Sequence, residues 1–554
     1  MLRELIYVSI GLVFLAYALD YVLGSADDAR EPKRVNPRVP LIGHVLGLTK
    51  YGSSYFMYTS RKTEAEMYTL AAFNTKFYVC NSLRLMPLIQ KASKTVSFRP
   101  FIKTAADKIA GSSSAGGELF SGALVDDYEH ILRATLAPGP WLDEQSLRMG
   151  RSCAALVDTL LGGGGEEGKK IWLLGWVRHI VMQASGCGIY GQEHPFRDPV
   201  VAKAFWSSIQ KNRTFYPKAN SSGIRELHVN LPKNMAGLDF FKKYAKAREV
   251  LHTALLKYCA APHADAGLSV FERQRVLREG GMTLEDAAKQ ETSVCVAIFA
   301  NTAPTMFWTI WELYSRPELL EEVRQEIEAN AVFRKSDMEE KEEEKAPDDT
   351  EAETEAGFVL DVAALKTQCP LLLSVFQETQ RTRHVHANIR KVLADTLLDD
   401  GRYFLRKGNY VMMPGSPIHA DVRVWGQSAG AFDPYRFVPA NHHAKASSPN
   451  NVTANPPPSA FLSWGAPPYL CPARQFASTE ILIIMALLTM RVDLTPATRN
   501  GEWEANPALN HGELVAVCNP VEDVEMYMKA REKGLGKWAL KMAGSKTRVP
   551  IASG

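Results

Sequence analysis

The chain has 554 residues, 46% of them hydrophobic and 23% charged, with 38 Gly and 31 Pro, which excludes a collagenous, coiled-coil or wholly disordered protein. Lys and Arg number 64 against 61 Asp and Glu, a net +3 that is too even for a surface built to neutralise a nucleic-acid backbone. The 8 cysteines stand singly with no Cys-x-x-Cys pair, which excludes a disulfide scaffold and a Cys/His zinc site and fits a reducing compartment.

The first element is an apolar run from Leu5 to Leu19 that resumes after Asp20 as Tyr21, Val22 and Leu23. As a helix it reaches roughly 28 Å at about 1.5 Å per residue, close to the hydrocarbon thickness of a thin bilayer. Two readings stand: a membrane anchor over residues 1–24, or a cleaved signal peptide ending at the small residues Gly24, Ser25 and Ala26. The basic cluster Arg30, Lys33, Arg34 and Arg38 behind the run, against Arg3 alone in front, favours an anchor that leaves the downstream chain cytosolic. Pro37 and Pro40 then keep the backbone extended, so residues 25–44 read as a stiff proline-rich linker. From there to residue 554 the pattern is α+β and predominantly helical, with strand-like stretches Phe77–Cys80 and Tyr410–Met413 at either end of a long helical middle.

Thr283 with Asp286 three residues on resembles a capping box, and Ser315-Arg-Pro-Glu318 repeats the signal for the next helix. Between them lies one helix of about thirty residues, roughly 45 Å long, whose apolar middle from Val294 to Ala300 predicts burial on all sides. Pro304 predicts a local break there. Asn301 and Thr302 beside it have two readings: they satisfy the carbonyls freed by the proline, or they are polar groups held over a buried ligand. Residues 336–357, dense in Glu and Asp, and 442–459, rich in Asn, Pro and Ser, read as solvated surface segments.

Farther on, Glu378 and Arg381 share one helix face after Pro370, Arg436 sits in Phe432-Asp-Pro-Tyr-Arg436-Phe437, and Cys471 in Phe461-Leu-Ser-Trp464-Gly465-Ala-Pro-Pro-Tyr-Leu-Cys471-Pro-Ala-Arg474. A Glu/Arg pair alone is most often a surface ion pair. In this order and spacing, with Ala300-Asn301-Thr302 upstream, the chain resembles the cytochrome P450 superfamily over most of its length. The resemblance implies a P450 fold over residues 45–554 and haem b (iron protoporphyrin IX) bound through Cys471 as axial iron ligand. It also implies a buried structural network of Glu378, Arg381 and Arg436, and Arg390 as the donor to a haem propionate. A second donor near His130 or Arg133 lacks the family's Trp-x-x-x-Arg pattern. Beside the resemblance, a Cys opening a helix sees backbone N–H groups and the positive dipole end, which predicts a lowered thiol pKa. A thiolate ligand favours cleavage of the O–O bond.

Three departures stand out: Pro467 and Ala473 replace glycines of the Cys loop, and Tyr469 replaces a basic residue. The oxygen turn, with Ala300-Asn301 in place of an acid and Thr, is similar to the branch of sterol 7-alpha-hydroxylases and prostacyclin synthase. An Asn amide donates a hydrogen bond but cannot relay a proton as a hydroxyl does, which leaves that task to Thr302 or water. Asn301 and Thr302 are therefore the expected catalytic groups. Three activities fit: a monooxygenase acting on a hydrophobic terpenoid, steroid or polyketide-like metabolite; a redox-neutral isomerase or dehydratase; and a haem-binding protein without turnover. The first is favoured, with electrons from NADPH through a membrane-bound P450 reductase docking near Arg474. The whole looks like a fungal microsomal member of secondary metabolism, single-pass in the endoplasmic reticulum membrane. Phe98 and Phe101 either line the pocket or belong to the core. The sequons at Asn212 and Asn451 would go unused in a cytosolic domain.

Overall fold

The computed structural model describes residues 2–162, 168–206, 243–334, 357–440, 442, 456–503, 506–511, 515–542 and 547–552. The acidic segment 336–356, most of 442–459 and both sequons lie outside these residues.

The apolar start is one helix, Leu2–Ser25, with Tyr7, Leu12, Phe14 and Tyr21 all exposed. The linker that follows is tied to the protein rather than free. Lys33 and Val35 exchange backbone hydrogen bonds with Thr69, and Lys76 and Tyr78 hold the Glu31 carboxylate. Two of its cations are neutralised locally, Arg30 by Asp28 and Arg34 by Asp27. A helix already begins at Gly43, so the extended stretch is shorter than residues 25–44.

Thr75–Cys80 and Tyr410–Pro414, far apart in sequence, are parallel neighbours in a five-stranded sheet, with Tyr410 opposite Phe77. Ala387–Val392 pairs antiparallel with Tyr410–Pro414, which places Arg390 opposite Val411. The rest is mainly helical, and its core runs through the central helix, Leu284–Tyr314, and the helix after the Cys loop, Arg474–Arg491. The central helix is long and apolar enough to span a bilayer, yet most of it lies inside the protein.

The capping signal at Thr283 forms: its hydroxyl accepts from the Asp286 N–H at 3.0 Å. The second does not, because Ser315 ends the central helix and Arg316 is the N-cap of Pro317–Asn330 without a side-chain bond. The break expected at Pro304 is absent as well. The helix continues through it, with Thr302, Thr305 and Thr309 each donating a hydroxyl to the carbonyl four residues back, at 2.7–2.8 Å. These bonds stay within the helical turn and support its path past the proline.

Candidate active site

The central helix is not buried all round. Val294, Ala297, Ile298, Asn301, Thr302 and Thr305 fall on one face at helical spacing and wall an internal cavity. Opposite them stand Cys471, Pro472, Ala473 and Phe476 of the Cys loop and the helix it feeds. The void has two lobes of about 220 and 520 Å³ that share Asn301, Trp464 and Cys471.

The Cys loop is closed by backbone bonds, Cys471 N–H to the Trp464 carbonyl at 2.8 Å and Tyr469 N–H to the Ala466 carbonyl at 3.1 Å. Gly465 needs its missing side chain: its φ is +98°, and a Cβ would stand 2.7 Å from the Tyr469 carbonyl oxygen. Ala473, where the family has glycine, takes an ordinary φ of −87° and carries no strain. The expected lowering of the Cys471 pKa is overturned. Burial pushes the thiol up, against a backbone hydrogen bond from Ala473 and the charge of Arg474. The reason is placement: Cys471 precedes the N-cap Ala473 by two residues, inside a desolvated wall. Iron would have to displace the proton itself.

Glu378, Arg381 and Arg436 come together in the core. Glu378 accepts from Arg381 at 2.7 Å on both oxygens, from Arg436 Nε at 3.1 Å and from the Asp433 N–H at 3.0 Å. The guanidinium groups spend their other N–H donors on carbonyls of Ala429, Ala431, Trp425 and Ser428. His419 links this network to the Cys loop. Its Nε2 accepts from the Leu462 N–H at 2.9 Å, so Nδ1 carries the proton donated to the Arg381 carbonyl. Burial, with Arg381 nearby, keeps that imidazole neutral, its pKa pushed down to about 3.

Arg390 is buried at the rim of the larger lobe between the rings of Phe98 and Tyr469, 5.5 and 4.8 Å from its guanidinium carbon. It donates to the Ile389 and Ala466 carbonyls, and among the described residues no carboxylate pairs with it. Desolvation lowers its pKa to about 10. A buried guanidinium without a counter-charge is costly and calls for an anion. Arg133 lines the same lobe, held to Glu129 at 3.2 Å, whereas His130 is exposed and lies off it. Arg474 is only half-exposed, with its guanidinium turned back to the Cys471 carbonyl at 3.1 Å. Phe98 and Phe101 line the larger lobe.

Asn301 and Thr302 both face the cavity. Asn301 has a contact that neither sequence reading anticipates: its Oδ1 accepts the Ala516 N–H at 2.8 Å, 215 residues away. Ala516 in turn offers its carbonyl to the Val385 N–H at 2.8 Å, so one amide fastens the chain near Ala516 between the central helix and the approach to the Arg390 strand. That bond leaves Nδ2 as a donor for the cavity. Also missed in the sequence was Glu480, nine residues past Cys471, a cavity-lining carboxyl that accepts from Ser185 Oγ at 2.6 Å and whose pKa burial raises to about 8. Tyr469, which replaces the family's basic residue, supports Arg390 with its ring and meets Ser97 Oγ at 3.0 Å.

These groups fit a flat, iron-bearing macrocycle with anionic arms. Cys471 offers a metal ligand on one wall, apolar faces line both sides, and Arg390, a buried cation that no carboxylate among the described residues meets, stands at the rim.

A sequence model of the cytochrome P450 family matches residues 238–508. The chain is similar, at 30% identity over the whole of both chains, to the cytochrome P450 monooxygenase nodJ of Hypoxylon pulicicidum. It is 24% identical to a cytochrome P450 monooxygenase of Gibberella zeae, over 92% of this chain and 91% of that one. It is 25% identical to the cholesterol 7-alpha-monooxygenase of Cricetulus griseus, over 56% of this chain and 59% of that one.

Proposed function

Because the chain belongs to the cytochrome P450 family, we propose that it is a membrane-anchored haem-thiolate monooxygenase that oxidises a hydrophobic small molecule with dioxygen and electrons from an NADPH-dependent reductase. The carrying observation is the pairing of the Cys471 thiol with the Asn301/Thr302 face of the central helix across an apolar cavity. Haem b bound there would supply the iron at which dioxygen is reduced. The protein's part is positional. Cys471 would hold the iron and Arg390 a propionate, while Glu378, Arg381 and Arg436 keep the Cys loop in place through His419.

Asn301 lines the cavity with Oδ1 already committed to the Ala516 N–H, so its Nδ2 would be the donor to a bound oxygen. The Thr302 hydroxyl donates to the Ile298 carbonyl at 2.8 Å, so it accepts from the cavity and must rotate off that carbonyl to pass a proton on. The exposed apolar helix Leu2–Ser25 is the membrane anchor, single-pass in the endoplasmic reticulum, with the catalytic domain cytosolic. The substrate of this reading is a secondary metabolite of terpenoid, steroid or polyketide type; among the relatives, one is named for oxidation of a sterol, cholesterol.

Reduced carbon monoxide difference spectroscopy on the full chain and on Cys471→Ala tests the reading. A thiolate-type band in the first and none in the second is expected, and an unaltered band in Cys471→Ala would overturn it. A second reading, redox-neutral rearrangement of a peroxide, draws on Asn301, whose amide holds an oxygen without supplying a proton. Turnover without reductase favours it over NADPH-coupled oxygenation.

A further inference from the structure

The larger lobe is walled mainly by apolar and aromatic side chains, among them Phe98, Phe101, Val294, Ala297 and Val515. Its polar members include Asn301, Arg390, Ser463 and one imidazole, that of His386. The His386 side chain is exposed where it lines the lobe, within a densely packed part of the protein. Its position is fixed by the backbone around it. The His386 carbonyl accepts from the Gly415 N–H at 2.9 Å, the Val385 N–H donates to the Ala516 carbonyl at 2.8 Å, and Ser416 Oγ donates to the His384 carbonyl at 2.9 Å.

Among the described residues neither ring nitrogen of His386 has a hydrogen-bond partner. Its ring neighbour is His384, edge-on at 6.3 Å, and the charge that acts on it is that of Arg390. Burial, with Arg390 adding to it, lowers the imidazole pKa to about 4. At neutral pH the ring therefore carries one N–H donor and one bare acceptor at the cavity wall.

We propose that His386 is a specificity-determining residue that hydrogen-bonds an uncharged oxygen, a hydroxyl or ketone, on an otherwise apolar substrate. The inference rests on the monooxygenase reading of the same cavity and narrows its substrate class to lipophilic molecules that already carry an oxygen function. A hydrocarbon would strip water from the imidazole and return nothing, whereas an alcohol or ketone restores the bond. A carboxylate gains no ion pair from a neutral ring.

The test titrates the haem-loaded full chain by calorimetry with decan-1-ol and with decane. The wild-type protein is expected to bind the alcohol at least about tenfold tighter, and His386→Leu to shrink that ratio to about threefold or less. His386→Gln, which keeps a donor and an acceptor, should retain most of it. A wild-type chain that does not distinguish the probes, or a His386→Leu variant with the full preference, overturns the proposal. So does nitrogen ligation of the ferric iron that vanishes in His386→Leu, because the ring would then serve the metal. A carbon monoxide spectrum on the same samples separates the two claims. Its absence in the wild type sinks the haem-thiolate reading, while a normal spectrum with unchanged discrimination sinks this one alone.

Discussion

Glu378→Gln should be among the most damaging single changes that leave the cavity lining untouched. The wild-type cluster sets one carboxylate against two guanidinium groups, with Glu378, Arg381 and Arg436 all at most 2% exposed. The amide keeps most of the packing, and the arginines keep their carbonyl partners at Ala429, Ala431, Trp425 and Ser428. What disappears is the one carboxylate hydrogen-bonded to both buried cations, at 2.7 and 3.1 Å, with only the more exposed Asp433 left at 4.0 Å from Arg436 among the described residues. Leaving such a charge unpaired costs about 3–5 kcal/mol, a large share of a total stability of about 5–15 kcal/mol. Arg436→Met, by contrast, leaves a balanced pair of Glu378 and Arg381 and strands only neutral carbonyls, so it should cost clearly less. Denaturant unfolding followed by circular dichroism, with m unchanged, measures both. A Glu378→Gln cost below about 1 kcal/mol, or an Arg436→Met cost that exceeds it, would refute the charge-balance argument.

Two further outcomes follow from groups the cavity walls expose. The folded pKa of Glu480 is raised to about 8, so the fold favours its neutral form. Stability is therefore fullest below the unfolded carboxyl pKa and falls as pH rises towards 8, because the folded state holds a proton the unfolded chain has released. Glu480→Gln should flatten the pH dependence of the unfolding midpoint between about pH 5 and 8 and leave it unchanged below about pH 4; an unchanged slope would show that the carboxyl is hydrated. Asn301→Leu should free the Ala516 N–H, at a cost of about 1–3 kcal/mol for a bond left unmade, and speed hydrogen exchange at Ala516 and Val385. Exchange as slow as in the wild type would show that the Ala516 segment is held by other contacts.

Local spacing in the chain is enough to pick out the candidate site residues and the elements that carry them. Cys471, the Glu378/Arg381 pair, Arg436, the central helix with its Thr283 cap and the two strand stretches are all written in short-range spacing, which a reader of the chain can count. Its errors were local too. Pro304 signalled a break where the helix runs on, and the helix after Cys471 suggested a lowered thiol pKa that burial reverses. Tertiary structure alone decided which groups meet. Asn301 and Ala516 stand 215 residues apart, and His419 reaches Leu462 across 43. Among the described residues Arg390 meets no carboxylate and lies over the Tyr469 ring, and His386 opens into a cavity rather than the core. No periodicity encodes such pairings. They arise because closing a core must either satisfy each buried donor, acceptor and charge or leave it facing a ligand, and that accounting is settled only when distant segments pack.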